Sequence, residues 1–343
     1  MDAHTHLAAL VGGGTLSEDD AEDLFESLLR GDLDEAQIGA TLALIQSHGV
    51  TASELTGAAR VMRRHVTPTP APDGLTLIDT CGTGGAPKTF NISTAAAIIA
   101  AAAGRAADVA QPIAVAKHGN RSRSGRGSAE ILESLGVRTD ASTETQTKCL
   151  AEAGVCFCFA IHHHPAMRHA GGPRRSLGFP TPFNLLGPLT NPAGARRQLI
   201  GVYDAERVGV VAVALHRLGA EHAMVVRGDD GLDELTTTAE NRVFEVRGGV
   251  SERALDPNDL GLPRATLEEL GAADLDDATR VIREVLAGAP GPRTDIALLN
   301  AAAALLVGGA AHDMAEGLAR ARATVGSGDA TRTLETLCRV SHG

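Results

Sequence analysis

A chain of 343 residues with 43% apolar side chains can bury substantial cores and is long enough for two domains. Its formal charge of −11, with no Trp, one Tyr and seven Phe, excludes nucleic acid and anionic membranes as natural partners, because basic surface and stacking platforms are both scarce. No apolar stretch reaches the length of a membrane span, no leader pattern opens the chain, and five cysteines without a Cys-x-x-Cys pair suit buried thiols in a reducing, cytoplasmic setting.

In chain order, His4-Thr-His6 after Asp2 has a metal-type spacing but no preceding strand, and is read as part of a ragged N-terminus. Apolar periodicity then predicts helices over 16–30, 33–48 and 52–64, separated by Gly31 and Gly49 and begun near Ser17, Asp34 and Ser53. Pro68 to Pro72 form a stiff linker that closes this helical unit. From Leu75 onward strand-like runs (77–79, 113–116, 155–159, 199–202, 223–226, 243–246) alternate with helical ones. The expected class is therefore α/β: a small all-helical N-terminal domain, then a large domain with a central, mostly parallel sheet flanked by helices. Cys156 and Cys158 share one strand face and read as packing. Prolines and glycines between about 165 and 190 break the alternation.

Three polar clusters carry chemistry. Asp79-Thr-Cys-Gly-Thr-Gly-Gly85 leaves a strand and enters an alanine-rich helix at Asn91-Ile-Ser-Thr94. Glycines there let backbone approach a ligand, and the helix start offers unpaired N–H groups to an anion. Ser93 and Thr94 either cap that helix or bind phosphate or a metal. The loop has neither the Gly-Lys-Ser/Thr ending of a nucleotide-hydrolase loop nor dinucleotide-binding spacing. The second cluster follows the strand at 112–116 and packs four cations into residues 117–126 of an acidic chain, ahead of a helix that opens near Ser128. The third, Asp229-Asp-Gly-Leu-Asp-Glu234, places four carboxylates in six residues, which repel unless a cation sits among them. Asp233 and Glu234 suit Mg²⁺, a hard ion that links carboxylates to phosphate. Together the clusters describe a polyphosphate site with a magnesium bridge.

These residues resemble the anthranilate phosphoribosyltransferases. Gly82-Thr-Gly-Gly85, Asn91-Ile-Ser-Thr94, Lys117-His-Gly-Asn-Arg121, His164-Pro-Ala-Met167, Phe183 to Pro192 and Asp230-Gly-Leu-Asp-Glu234 match family motifs in family order, over about residues 15 to 325. The resemblance implies transfer of 5-phosphoribosyl from phosphoribosyl pyrophosphate to the amine of anthranilate, with Mg²⁺, in a homodimer. It also implies that the helical domain takes in about 165–190 besides 1–70, leaving 73–164 and 191–343 to the α/β domain. Donor contacts would come from Gly82, Thr83, Gly84, Gly85, Asn91, Ser93, Thr94, Lys117 and Ser128. Acceptor contacts would come from Gly82, His118, Asn120, Arg174 and Pro188, and metal contacts from Ser93, Asp233 and Glu234. Arg174 is preferred to Arg175 because it lies four residues before Gly178, as the family's acceptor arginine does.

The chain departs from the family at Gly85-Ala86-Pro87, where an acidic residue is missing and the loop is one residue shorter. It departs again at Ser124 to Ser128 and at Gly178-Phe-Pro-Thr-Pro182, beside the expected acceptor pocket. Three other readings compete: a phosphoribosyltransferase for another aromatic amine, an enzyme like the pyrimidine nucleoside phosphorylases, and a nucleic-acid-binding relative without activity.

Overall fold

The computed structural model describes residues 3–122 and 125–343; Asp2 and, in the basic cluster, Arg123 and Ser124 lie outside them. The N-terminal helices are α1 (Ala3–Val11), α2 (Glu18–Arg30), α3 (Glu35–His48) and α4 (Ala52–Arg64). Ser17 caps α2 by accepting from the Asp20 N–H, and Asp34 forms a reciprocal capping box with Gln37. Two expectations need correcting. The cap of α4 is Thr51, in a box with Glu54, while Ser53 lies inside the helix. The N-terminus is not ragged over its described part, because α1 buries His6 and Leu10.

Seven strands follow: β1 (Thr76–Gly82), β2 (Ile113–Gly119), β3 (Val155–Phe159), β4 (Arg197–Gly201), β5 (His222–Gly228), β6 (Asn241–Val246) and β7 (Val250–Leu255). They form one sheet in the order β3-β2-β1-β4-β5-β6-β7, parallel as far as β5 and antiparallel at β6 and β7. The reversal of strand order between β1 and β4 is the place where open α/β sheets leave a crevice beyond their carboxyl ends. β7 escaped the sequence reading because Val-Ser-Glu-Arg-Ala-Leu is mostly exposed and lacks an apolar signal.

The remaining helices are α5 (Ile92–Ala103), α6 (Ser128–Leu135), α7 (Thr143–Glu152), α8 (Ala160–His163), α9 (Arg168–Leu177), α10 (Phe183–Leu186), α11 (Val208–Arg217), α12 (Leu275–Leu286), α13 (Pro292–Gly308), α14 (Met314–Gly326) and α15 (Asp329–Ser341). Strand residues alternate between two cores: Leu199, Met224 and Val226 face the layer of α5, α13, α14 and α15, while Ile200, Ala223 and Val225 face α11 and the N-terminal helices. The helical N-terminal unit is thereby fused to one sheet face. α9 packs on α3 and α2, and Phe183 of α10 meets Phe25 edge-on at 5.8 Å. The segment 165–190 thus lies against the N-terminal helices and overhangs the sheet's carboxyl end.

Cys156 and Cys158 do share a buried face, with sulfurs 3.8 Å apart, and all five cysteines are free thiols.

Candidate active site

The first cluster folds as its sequence suggests. β1 ends at Gly82, and Gly84 and Gly85 adopt positive φ of 69° and 103°, which turns the chain toward α5. Gly82 pairs in register with Gly201 at the end of β4, and both face Asp233. A Cβ at Gly82 would lie 2.7 Å from Asp233 Oδ2, and one at Gly201 would lie 1.6 Å from the Asp233 carbonyl oxygen. Two paired glycines therefore form a floor on which the acidic turn rests. Gly84 N–H donates to Asp233 Oδ2 at 2.9 Å, and Thr83 N–H donates to the Gly201 carbonyl at 2.9 Å. The ring of Tyr203 packs over Gly85.

Ser93 ties three elements together. Its carbonyl accepts from the Thr80 hydroxyl at 3.2 Å, its hydroxyl accepts from Lys117 Nζ at 3.1 Å, and its N–H and hydroxyl favour the charged form of the Glu234 carboxyl. Neither Ser93 nor Thr94 caps α5; Asn91 occupies the cap position without a side-chain cap bond, and its amide donates to the Arg126 carbonyl. The Thr94 hydroxyl is buried and unpaired.

Lys117 and His118 belong to β2 rather than to the loop expected from their charge, since β2 continues through Gly119 beside Phe157, Cys158 and Phe159. Lys117 is buried, and its second bond runs to the Thr80 carbonyl at 2.6 Å. Burial pushes its pKa down, opposed by Asp79. Asp79 lies beneath, accepting from the His118 N–H and from Asn191 Nδ2 at 2.8 Å, with its carboxyl pushed up by burial. Ser128 opens α6, and its hydroxyl donates to the Asn120 carbonyl at 3.4 Å.

Burial, and next the adjacent Asp233, push the Glu234 carboxyl up to about 8; Asp233 is also raised by burial, against the Gly84 N–H. Burial thus disfavours the charged form of both carboxyls, and a cation beside them would favour it. Among the described residues no three His, Cys, Asp or Glu converge, so the protein offers two carboxylates and a hydroxyl. That donor set fits Mg²⁺, which takes few protein oxygens and completes its shell with water and substrate phosphate. Asp230, by contrast, is structural, accepting from the Thr236 hydroxyl and the Leu232 N–H.

A cleft of about 900 Å³ opens beside this centre, under α8 to α10. Gly82, His118, Asn120, Arg174 and Pro188 all line it, together with Thr83, Arg121, Arg168 and Phe179. The Arg174 guanidinium stands 5.2 Å from the Phe183 ring centre. His118 Nδ1 bonds the Gly187 carbonyl at 3.1 Å, and its Nε2 meets His164 Nε2 at 3.2 Å. A carbonyl only accepts, so His118 carries its proton on Nδ1 and His164 donates from Nε2. Burial lowers both pKa values, to about 3 for His118 and about 4 for His164, keeping the rings neutral. Both His118 nitrogens are thereby engaged, and neither presents a free lone pair as a base. His164 forms cleft wall, while the neighbouring His163 bonds the Thr67 carbonyl.

Sequence reasoning quoted Asp79 and Asn191 within motifs but gave them no role of their own, and it passed over Gly201 and Tyr203. The available signal for Gly201 was a glycine ending an apolar strand run.

A family model described as the glycosyl transferase family helical bundle domain matches residues 5–66, and the corresponding a/b domain matches residues 74–331. The anthranilate phosphoribosyltransferase of Moorella thermoacetica is 44% identical over 334 residues, 96% of each chain. The chain belongs to the anthranilate phosphoribosyltransferase family. The family's crystal structure from Thermus thermophilus superposes with a TM-score of 0.91 at 39% identity over the whole of both chains. The Saccharomyces cerevisiae enzyme, solved in complex with PRPP and Mg, gives 0.87 at 25% identity, covering 99% of this chain and 98% of that one. A second structure of the yeast enzyme contains 4-fluoroanthranilate. Membership makes this chain a glycosyltransferase-family enzyme.

Proposed function

We propose that the protein transfers the 5-phosphoribosyl group of phosphoribosyl pyrophosphate to the amine of anthranilate, releasing pyrophosphate, in tryptophan biosynthesis. The observation that supports this best is the convergence of Gly82, His118, Asn120, Arg174 and Pro188 on one cleft beside the turn that carries Asp233 and Glu234. The PRPP and 4-fluoroanthranilate complexes of the yeast relative agree with it.

Breaking the bond from ribose C1 to pyrophosphate builds positive charge on the sugar and negative charge on the leaving group. The glycine loop at 82–85, Asn91, Ser93, Thr94, Lys117 and Ser128 hold the donor, the cation Lys117 lying directly under the start of α5. Mg²⁺, held by Ser93, Asp233 and Glu234, supplies charge neutralisation for the pyrophosphate when bound. On the acceptor side, His118, Asn120 and Pro188 shape the pocket, and Arg174 offers a planar two-donor fork to the anthranilate carboxylate. An aromatic amine is already nucleophilic, so positioning replaces a general base; the engaged nitrogens of His118 accord with that.

Residues 1–70 with about 165–190 act as one unit and 73–164 with 191–343 as the other, with the acceptor cleft between them. The protein works as a homodimer through the helical unit, whose α1 exposes Val11, and acts in the cytoplasm, where five free thiols persist. No described helix is long and apolar enough to cross a membrane.

The test is incubation with phosphoribosyl pyrophosphate, Mg²⁺ and anthranilate, following loss of anthranilate fluorescence and release of pyrophosphate. Metal-dependent turnover is expected. Magnesium-dependent donor binding without turnover would transfer the reading to another aromatic amine.

A further inference from the structure

The middle of α13 runs Ile296-Ala-Leu-Leu-Asn-Ala-Ala-Ala-Ala-Leu-Leu-Val307, with one polar side chain, Asn300, in an otherwise apolar stretch. Asn300 is fully buried. A buried amide is costly unless its hydrogen bonds are made. Asn300 makes them chiefly with one residue's backbone: Oδ1 accepts from the Leu235 N–H at 3.0 Å, and Nδ2 donates to the Leu235 carbonyl at 2.7 Å and to its own helix at Ile296, 2.9 Å. Leu235 directly follows Asp233 and Glu234. On the other side, the paired glycines at 82 and 201 press against Asp233 itself. The carboxylate turn is therefore gripped between a glycine floor and an asparagine on a helix 65 residues away in sequence.

We infer that Asn300 is a positioning residue for the carboxylate turn, fixing Asp233 and Glu234 where a divalent cation and a pyrophosphate can share them. The inference rests on the proposed metal-dependent transfer, and it adds a determinant outside the three polar clusters. Residues that orient ligating groups from behind commonly change metal affinity by about 10–100-fold when replaced. Loss of the amide leaves the Leu235 N–H and carbonyl without these partners, and the turn loses its support from α13.

The experiment compares wild type, Asn300→Leu, Asn300→Asp and a matched core variant, Leu318→Ala on α14. Mn²⁺ binding is read by electron paramagnetic resonance, alongside the Mg²⁺ activation constant, the KM for each substrate and the thermal midpoint. Wild-type Mn²⁺ binding and turnover establish the underlying reading; their absence would sink that reading before any variant is compared. Expected for Asn300→Leu is an Mn²⁺ affinity about 10–100-fold weaker, a similarly raised Mg²⁺ activation constant and donor KM, and an unchanged anthranilate KM. Asn300→Asp, which keeps the acceptor half of the clamp, should fall between. Leu318→Ala should lower the thermal midpoint with metal affinity intact. Metal affinity in folded Asn300 variants no weaker than in Leu318→Ala would overturn the inference. Should neither Asn300 variant fold, amide exchange on wild type decides: the Leu235 N–H is expected among the protected amides, and rapid exchange there would refute the clamp.

Discussion

Gly201→Ala isolates the glycine floor. The substitution removes no ligand-binding group, since Gly201 offers only backbone and its N–H and carbonyl stay in place. An added Cβ would lie 1.6 Å from the Asp233 carbonyl oxygen and 2.4 Å from its carbonyl carbon, both backbone atoms. Real Cβ atoms keep at least 3.0 Å, so the turn must retreat by about 1.4 Å. A misplacement of about 1 Å in a reacting assembly costs about 100-fold in rate, about 2.7 kcal/mol in the barrier. Forced repacking costs about 1–3 kcal/mol of stability as well. The expected result in the coupled fluorescence and pyrophosphate assay, at saturating anthranilate, is a fall of about 100-fold in kcat/KM for the donor, in protein that remains folded by thermal melting. Donor kinetics essentially equal to wild type in folded Gly201→Ala would refute the claim that this glycine sets the position of Asp233.

Arg174→Ala should raise the anthranilate KM far more than the donor KM, by about 10- to 100-fold if the lost contact is a charge-assisted pair of about 1.5–3 kcal/mol; equal losses toward both substrates would remove the acceptor role. Chelation should abolish turnover reversibly, and Asp233→Asn with Glu234→Gln should abolish it even at high Mg²⁺; metal-independent activity in the double variant would contradict the metal assignment. The buried histidines predict acid lability. His164 has a folded pKa near 4 against 6.5 for the free side chain, so the unfolded chain takes up the proton first. Its contribution is intact above about pH 6.5 and drains away as pH falls toward 4, of the order of 3 kcal/mol at the limit. Urea midpoints for wild type should therefore fall more steeply over that range than for His164→Gln, and parallel curves would dismiss the effect. Gly39→Ala should act in the opposite direction to Gly201→Ala: Gly39 sits inside α3 with open space at its Cβ position, so stability should rise by about 0.5–1 kcal/mol with kinetics unchanged.

Much of the architecture was legible because its signals are local. Ser17 and Asp34 announce helix starts through side-chain bonds within three residues, and the apolar runs of β1 to β6 stand out against their flanks. The structure puts Arg174 at the cleft, as the family resemblance implied, and Asp233 and Glu234 on the turn that their charge had singled out. What local reading lost depends on contacts across the chain. Lys117 and His118 read as loop because their polarity ends the apolar run, yet the sheet carries them inward, where Asp79 and the Thr80 carbonyl receive them. The α4 cap, by contrast, is a local signal, Thr51 in a box with Glu54 three residues on, with Ser53 just inside the helix.

Three residues to which local reading gave no supporting role share a form. Lys117 is a cation in a strand, Asn300 an amide in an alanine helix, and Asp79 a carboxylate in the middle of an isoleucine-bearing strand. Each breaks the local rule of its element, and each makes, with its own side chain, the hydrogen bonds that explain the breach. A side chain that costs free energy in its own element persists when a distant element uses it. In this chain the distant elements are the ones that meet at the carboxyl end of the sheet. A polar residue at odds with its own helix or strand is therefore a better pointer to the site's supporting framework than another polar residue in a loop, and Asn300 is the case in which that argument can be tested apart from the motifs.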